Sequence, residues 1–369
     1  MVEALCPYFD NCGGCTSQHV SYEEQLEQKK KRIERLLGVS SLEVFSDVAY
    51  GYRNRMDFII HLKGLGLREK GRWDCFVDIK ECVIASPHVN ALLQELRAFF
   101  VENDAFDFKK RGGTFRYAVV RCPGDDSSIT FVLNKDSMKI GDAIEKIKEF
   151  SVKSSGKNIL VAYVPSQSDV SFSDEFFVVK GKDVLEKEYL GKKFLFPAQG
   201  FFQNNDTVAE KMQIYCHSLF EKEDTQEGEL LDLYSGVGTF GILNADLFKK
   251  VTFVESVASA VVCTKKNISF HHLLHCEAFC LDARYLKRLS FSKKLFVLTD
   301  PPRSGMHPST LEALKSLKPR MIVYVSCNVV QLSKDISKFK EYYLEHVALF
   351  DLFPQTSHCE VVAVLKRKV

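Results

Sequence analysis

The chain has 369 residues, 46% of them hydrophobic and 27% charged, which excludes wholesale disorder and suits two ordinary domains better than one. Lys and Arg number 50 against 48 Asp and Glu, a formal charge of +2, so a nucleic-acid partner must be held by a local basic face rather than by bulk charge. No run approaches the ~18 apolar residues of a membrane span, and the opening MVEALCPYFDNCGGC lacks the basic and apolar regions of a secretory leader, so a cytoplasmic protein away from membranes is expected.

Cysteine is the first feature in chain order. Cys6, Cys12 and Cys15 crowd the N-terminus, while Cys82 and the others are scattered. Without an oxidising compartment, metal binding or catalysis is the better reading than a disulfide framework, and most of the scattered thiols are expected only to pack. Ser21 to Leu37 then reads as a helix, with a capping box in Ser21 and Glu24 and a stop at Gly38. Its basic run, Lys29, Lys30, Lys31 and Arg32, reads first as a solvated helix face and second as a phosphate-facing patch.

From about Val44 to Leu190 the texture is strand-rich (MDFIIHL, FRYAVVRC, SSITFVL, NILVAYV), with one helix near residues 87–101, which predicts a compact β-rich or α+β module. After Leu190, strands and helices alternate: GELLDLY, VTFVES, CEAFCLDA, LFVLTD and MIVYVSC are strands separated mainly by helical stretches. That pattern predicts a doubly wound α/β sheet with ligands at the carboxyl ends of its strands. The last two strands, YYLEHVALFDLF and HCEVVAVLKRK, have no helix between them and should pair antiparallel at one edge. The expected division is therefore 1–43, 44–190 and 191–369.

Four positions in the last region carry chemistry. The loop Gly236-Val237-Gly238-Thr239-Phe240-Gly241 follows a strand and opens a helix, and Glu255 ends the next strand, where an acid can meet ribose hydroxyls. A tight turn with a surface glutamate competes with that reading, and the glycine spacing also admits a dinucleotide. Asp300 precedes two prolines at a strand end, a rigid corner lacking backbone donors. Cys327 also ends a strand, and its position before polar Asn328 favours a reactive thiol over a packing one. Glu360 starts an apolar strand, a costly place for a carboxylate unless it is paired or functional.

Together DLYSGVGTF, DPPRSG, YVSCN, the late HCE and the earlier FFQNN resemble the RNA 5-methyluridine methyltransferases, over the whole chain and in the family's order. The resemblance implies a C-terminal Rossmann-like S-adenosylmethionine methyltransferase domain preceded by a β-rich, RNA-binding α+β domain. The N-terminal C-x5-C-x2-C with the later ECVIASP resembles the branch that carries a [4Fe–4S] cluster, implying Cys6, Cys12, Cys15 and Cys82 as ligands, with zinc as the runner-up metal. Starting at the cysteines without a TRAM domain looks like the shorter 23S rRNA enzymes, with a tRNA enzyme as the alternative; no obligate protein partner is implied. Gln203, Tyr234, Glu255 and Asp300, with Asp282 on the adenine side, would line the cofactor site.

Cys327 matches the family's nucleophile and Glu360 its general base. Uracil C5 accepts a methyl group only after a thiol adds at C6, and a base must then remove the C5 proton so that the thiol can leave. The target base must also leave its stack to reach a cleft. Val329 stands where the family usually has proline, and Cys359 where an apolar residue is common. Arg53, Arg55, Lys109, Lys110, Arg111, Arg116 and Arg121 are the expected basic face. Two rivals are an amine methyltransferase, which shares the Asp-Pro-Pro arrangement but needs no thiol, and a non-catalytic RNA-binding protein.

Overall fold

The computed structural model describes residues 2–62 and 64–368. Helix α1 (Tyr22–Leu37) starts where the Ser21 side chain accepts from the Glu24 N–H and ends at Gly38, at φ +69°, whose N–H donates to the Glu34 carbonyl. Its buried residues are Gln25, Lys29 and Ile33, spaced by four so that they share one face. Lys29 is therefore not part of a solvated face. Its ammonium lies 2.7 Å from the buried Asp351 carboxylate and donates to the Phe353 carbonyl, while Gln25 and Gln355 exchange hydrogen bonds.

A short strand, β1 (Glu43–Phe45), leads to a seven-stranded sheet of spatial order β4-β3-β2-β5-β6-β7-β8. In chain order its elements are β2 (Arg55–His61), β3 (Gly64–Glu69), β4 (Arg72–Asp78), α2 (Pro87–Phe99), β5 (Phe115–Arg121), β6 (Ser128–Asn134), α3 (Ile140–Lys153), β7 (Asn158–Val164) and β8 (Phe176–Lys180). All neighbours are antiparallel except β6 and β7. A parallel pair needs a crossover, and α3 supplies it. The sequence reading allowed only one helix here; α3 is marked by Ala143, Ile147 and Phe150, buried at helical spacing against Phe100 and Phe131. Arg116 and Arg121, expected on a basic surface, are instead 1% and 3% exposed. Arg116 stacks 4.2 Å over the Phe106 ring and donates to the Pro165 carbonyl.

A hairpin, β9 (Val184–Tyr189) and β10 (Lys192–Pro197), precedes α4 (Asp206–Glu221). Then follow β11 (Glu229–Leu233), α5 (Thr239–Leu243), β12 (Lys250–Glu255), α6 (Ala258–Phe270), β13 (Cys276–Cys280), β14 (Leu295–Thr299), α7 (Pro308–Leu317), β15 (Met321–Ser326), α8 (Val329–Ile336), β16 (Tyr342–Phe350) and β17 (Glu360–Arg367). The sheet order is β1-β16-β17-β15-β14-β11-β12-β13, a doubly wound α/β sheet in which β17 alone runs against its neighbours. β16 and β17 pair antiparallel as expected, but not at the edge. Glu43–Phe45 adds a parallel strand outside β16, and Phe45 stacks on Phe350 at 4.6 Å.

The N-terminal segment is stitched to both sheets. Gly13 donates to the Arg68 carbonyl and Lys70 to that of Asn11, while Thr16 and Ser17 both donate to Gln355. Among the described residues no helix is long and apolar enough to cross a membrane. Lys29→Met leaves Asp351 buried without its counter-ion and should lower unfolding stability by about 3–5 kcal/mol, with Lys29→Met/Asp351→Leu recovering much of the loss. Denaturant titration measures both, and equal losses in the two would refute the pairing account.

Candidate active site

The carboxyl ends of β11, β12, β14 and β15 and the start of β17 surround one cavity of about 840 Å³. Its lining includes Gln203, Tyr234, Glu255, Asp282, Asp300, Cys327 and Glu360, so the positions singled out in the C-terminal half of the sequence all converge there.

One wall is the glycine loop. Tyr234 leaves β11 at φ +61°, and its N–H and that of Ser235 donate to the Val254 carbonyl. Gly238 sits at φ +85°, where a side chain would be strained and would meet Thr264. At Gly241 a Cβ would lie 2.3 Å from the Phe253 ring. That closeness lets the Gly241 N–H donate to the Asp232 carboxylate at 2.8 Å. Asp232 escaped the sequence reading; burial pushes its carboxyl up to about 7, against the lowering effect of Gly241. Glu255 anchors the same loop: one oxygen accepts from Gly236 N at 3.0 Å and the other from Ser256 N and Val257 N. The Asp282 carboxylate is engaged by the Arg284 guanidinium.

Across the cavity stand Asp300, Cys327 and Glu360. Thr299 of β14 pairs with Tyr324 of β15, and Ser326 of β15 pairs with Val361 of β17. That antiparallel register, carried one residue on, sets Cys327 opposite Glu360, the relation in which side chains of facing strands interact. Glu360 is 6% exposed, and its Oε2 has no hydrogen-bond partner among the described residues. Burial first, and then the nearby Asp300 carboxylate, raise the Glu360 carboxyl well above its ordinary value. Burial also pushes the half-buried Cys327 thiol up to about 11, reinforced by Glu360 and Asp300 and opposed by the Arg303 guanidinium. Asn328 caps α8 through Gln331 N and donates to the Arg303 carbonyl, so it fixes the turn that follows Cys327. Phe201 and His358 also line the cavity and were missed; His358 stands two residues before Glu360 in the HCE motif.

A second cavity of about 420 Å³ is lined by Cys6, Cys12, Cys15 and Cys82, and Gly14, Arg53 and Asn204 border both cavities. Burial pushes Cys12 up to about 11 and Cys15 up to about 12, and the neighbouring thiols add to both shifts. Among the described residues, however, no group of three or more His, Cys, Asp or Glu side chains is arranged to hold a metal ion. The cysteines thus meet as cavity-lining thiols rather than as a formed ligand set. Of the expected basic face, Arg55 pairs with Asp57 at 2.8 Å and Lys109 with Asp74 at 2.5 Å.

The family model described as tRNA (Uracil-5-)-methyltransferase matches residues 21–368. A tRNA (uracil(54)-C(5))-methyltransferase of Pyrococcus horikoshii is 34% identical over 366 residues, covering 99% of this chain and 86% of the relative. A protein of Caldanaerobacter subterraneus subsp. tengcongensis, named only as an uncharacterized RNA methyltransferase, is 33% identical over 99% of this chain and 85% of its own. The crystal structure of Pyrococcus abyssi tRNA (uracil-54, C5)-methyltransferase in complex with S-adenosyl-L-homocysteine superposes with a TM-score of 0.80 at 30% identity, covering 96% of this chain and 86% of that one.

Asp335, another residue the sequence did not single out, holds the cavity's far wall together. It is fully buried on α8, and its Oδ2 accepts from Met306 N at 3.0 Å and Tyr324 OH at 2.9 Å. Oδ1 accepts from Gln331 Nε2 at 3.0 Å, so one carboxylate joins the loop after β14, strand β15 and helix α8. Asp335→Ala strands the Met306 N–H and the Tyr324 hydroxyl and should cost about 1–3 kcal/mol for each. An unchanged denaturation midpoint would show that the three elements do not rely on it.

Proposed function

The chain belongs to the tRNA (uracil-5-)-methyltransferase family, and from that premise we propose that it methylates C5 of a uridine in tRNA, using S-adenosylmethionine. What carries the reading is the meeting of Cys327, Asp300 and Glu360 in one cavity of a chain from this family. The Pyrococcus horikoshii relative and the solved Pyrococcus abyssi neighbour bear tRNA uracil-54 in their names, which favours tRNA, and the position equivalent to 54, over the 23S rRNA of the initial expectation.

The cavity's donor set fits the cofactor. The glycine loop offers close backbone approach, Glu255 faces the ribose position, and Gln203, Tyr234, Asp282 and Asp300 complete the lining. S-adenosylmethionine supplies an electrophilic methyl group on a sulfonium. Asp232, Asp300 and Glu360 are carboxyls raised by burial, and a cation beside them favours their ionised forms.

Cys327 then acts as the thiolate, with Arg303 as the positive group nearest to hand for stabilising it. Its sulfur bonds to C6, and the ring's electron pair moves to give an enolate nucleophilic at C5. C5 takes the methyl group, and Glu360 as a carboxylate removes the C5 proton while the sulfur–C6 bond breaks, regenerating the thiolate. The unpartnered Glu360 Oε2 is an acceptor suited to that proton. An amine methyltransferase would leave both residues idle.

For the N-terminal cavity we propose a [4Fe–4S] cluster. Four cysteines lining one cavity are the right number and kind of donor, with zinc as the alternative metal. Its place there is structural, tying the N-terminal segment to the seven-stranded sheet. Anaerobically purified protein should carry about four irons per chain, and Cys82→Ser should lose them; stoichiometric zinc without iron would overturn the assignment.

The catalytic assignment is tested with tRNA and 23S rRNA transcripts side by side. Cys327→Ala should form no covalent adduct and transfer no methyl group. Glu360→Gln should add and methylate but fail to eliminate, accumulating a labelled protein–tRNA species on denaturing gels. Normal turnover by either variant would overturn the mechanism, and methylation of 23S rRNA alone would overturn the substrate.

A further inference from the structure

Resting on the reading of a tRNA substrate, we propose that Arg303, His358 and Arg32 form a phosphate-binding rim that grips the RNA backbone beside the extruded uridine. The three come from separate elements: Arg32 from α1, Arg303 from the loop after β14, and His358 from the residues just before β17. Arg303 Nη2 lies 3.5 Å from His358 Nδ1, and Arg32 Nη1 donates at 3.4 Å to the carbonyl of Ser357, the residue next to His358. Arg303 and His358 line the cavity that holds Cys327 and Glu360, and all three side chains are exposed.

Neither guanidinium of the rim is neutralised by a counter-ion. Arg55, Arg68, Arg97 and Arg284 each meet a carboxylate within 4 Å, whereas among the described residues Arg32 and Arg303 meet none. The nearest acids are already committed. Asp351 is sealed by Lys29, and Glu360 is buried, where its neutral form is favoured. A guanidinium beside an imidazole accepts an anion between them far more readily than it accepts a proton on the imidazole. A phosphodiester is the anion an RNA substrate brings, and guanidinium groups bind it through paired N–H donors.

The arrangement couples binding to protonation. His358 faces Arg303 from the β14 loop, Lys29 and Arg32 from α1, Glu360 along its own chain, and the Phe353 ring. Burial first, and then Arg303, Lys29 and Arg32, hold its imidazole below the usual value, so it is neutral near pH 7 without RNA. A phosphate at the rim offsets those positive charges and raises the value. RNA affinity is then greatest below the free-state value and falls as pH rises through the RNA-bound one.

The test is tRNA-transcript binding by fluorescence anisotropy across pH and salt, with methylation of the same transcript assayed in parallel. Wild type should bind more tightly as pH falls from about 8 to 5.5, and His358→Gln should flatten that dependence. Arg303→Gln and Arg32→Gln should each lower the slope of log affinity against log salt by about one, with about a tenfold loss of affinity for Arg303→Gln. A wild-type pH dependence in His358→Gln, or an unchanged salt slope in Arg303→Gln, would overturn the rim. If tRNA is not methylated but the variants still shift binding as stated, the substrate reading fails and the rim stands.

Discussion

Strand β17 runs antiparallel between β15 and β16, so its first residue lies beside the last residues of β15. In a purely parallel sheet, the carboxyl end of each strand meets only other carboxyl ends, and a residue at a strand's amino end is a strand length away. The reversal brings Glu360, at an amino end, to the same rim as Asp300 and Cys327. Its cost is the burial of a carboxylate beside another carboxylate, and that burial favours the protonated form of Glu360. The buried acid, and the part of the rise in the Cys327 thiol that comes from Glu360, descend from that one reversed strand.

The walls of the cavity are held by polar contacts between elements distant in sequence. Asn54 donates to the Gln203 carbonyl and to Asp206, joining the seven-stranded sheet to the turn before α4. Asn205 caps α4 through Val208 N and donates to the Leu352 carbonyl. Lys29 and Gln25 hold the segment between β16 and β17 from the α1 side. These contacts run through turns rather than through apolar surfaces, so they fix positions rather than supply bulk stability. The apolar cores lie apart, one between the helices and the seven-stranded sheet, a smaller one on that sheet's other face, and two on the faces of the eight-stranded one.

How far the sequence could be read follows from how local each signal is. The ends of α1 were legible because Ser21, Glu24 and Gly38 act within a turn of themselves. The alternation from β11 onward was legible because buried parallel strands are continuous apolar runs. Cys327 and Glu360 could be singled out because a polar group at the end of an apolar strand stands out in the text alone. Lys29 could not be placed, since nothing within α1 names Asp351, 322 residues away, as its partner. Arg116 looks like a surface cation because cation–π stacking and carbonyl acceptors leave no trace in the local pattern, and the burial of Arg121 within β5 leaves none either. Asp335 and His358 gain their importance from groups on other strands, and such pairings emerge only in three dimensions.

The exchange between Gln25 and Gln355 spans 330 residues, and Thr16 and Ser17 dock on the same Gln355. During synthesis the ribosome releases the N-terminal segment long before residue 355 exists. The segment's docking on Arg68 and Lys70 can form early, but its docking on Gln355 waits while the rest of the seven-stranded sheet and most of the eight-stranded one are made. Contacts of such separation form late and slowly, because the closure entropy comes before the reward. The cavity, which takes Glu360 from β17, is accordingly completed late, after every strand of the seven-stranded sheet has been made.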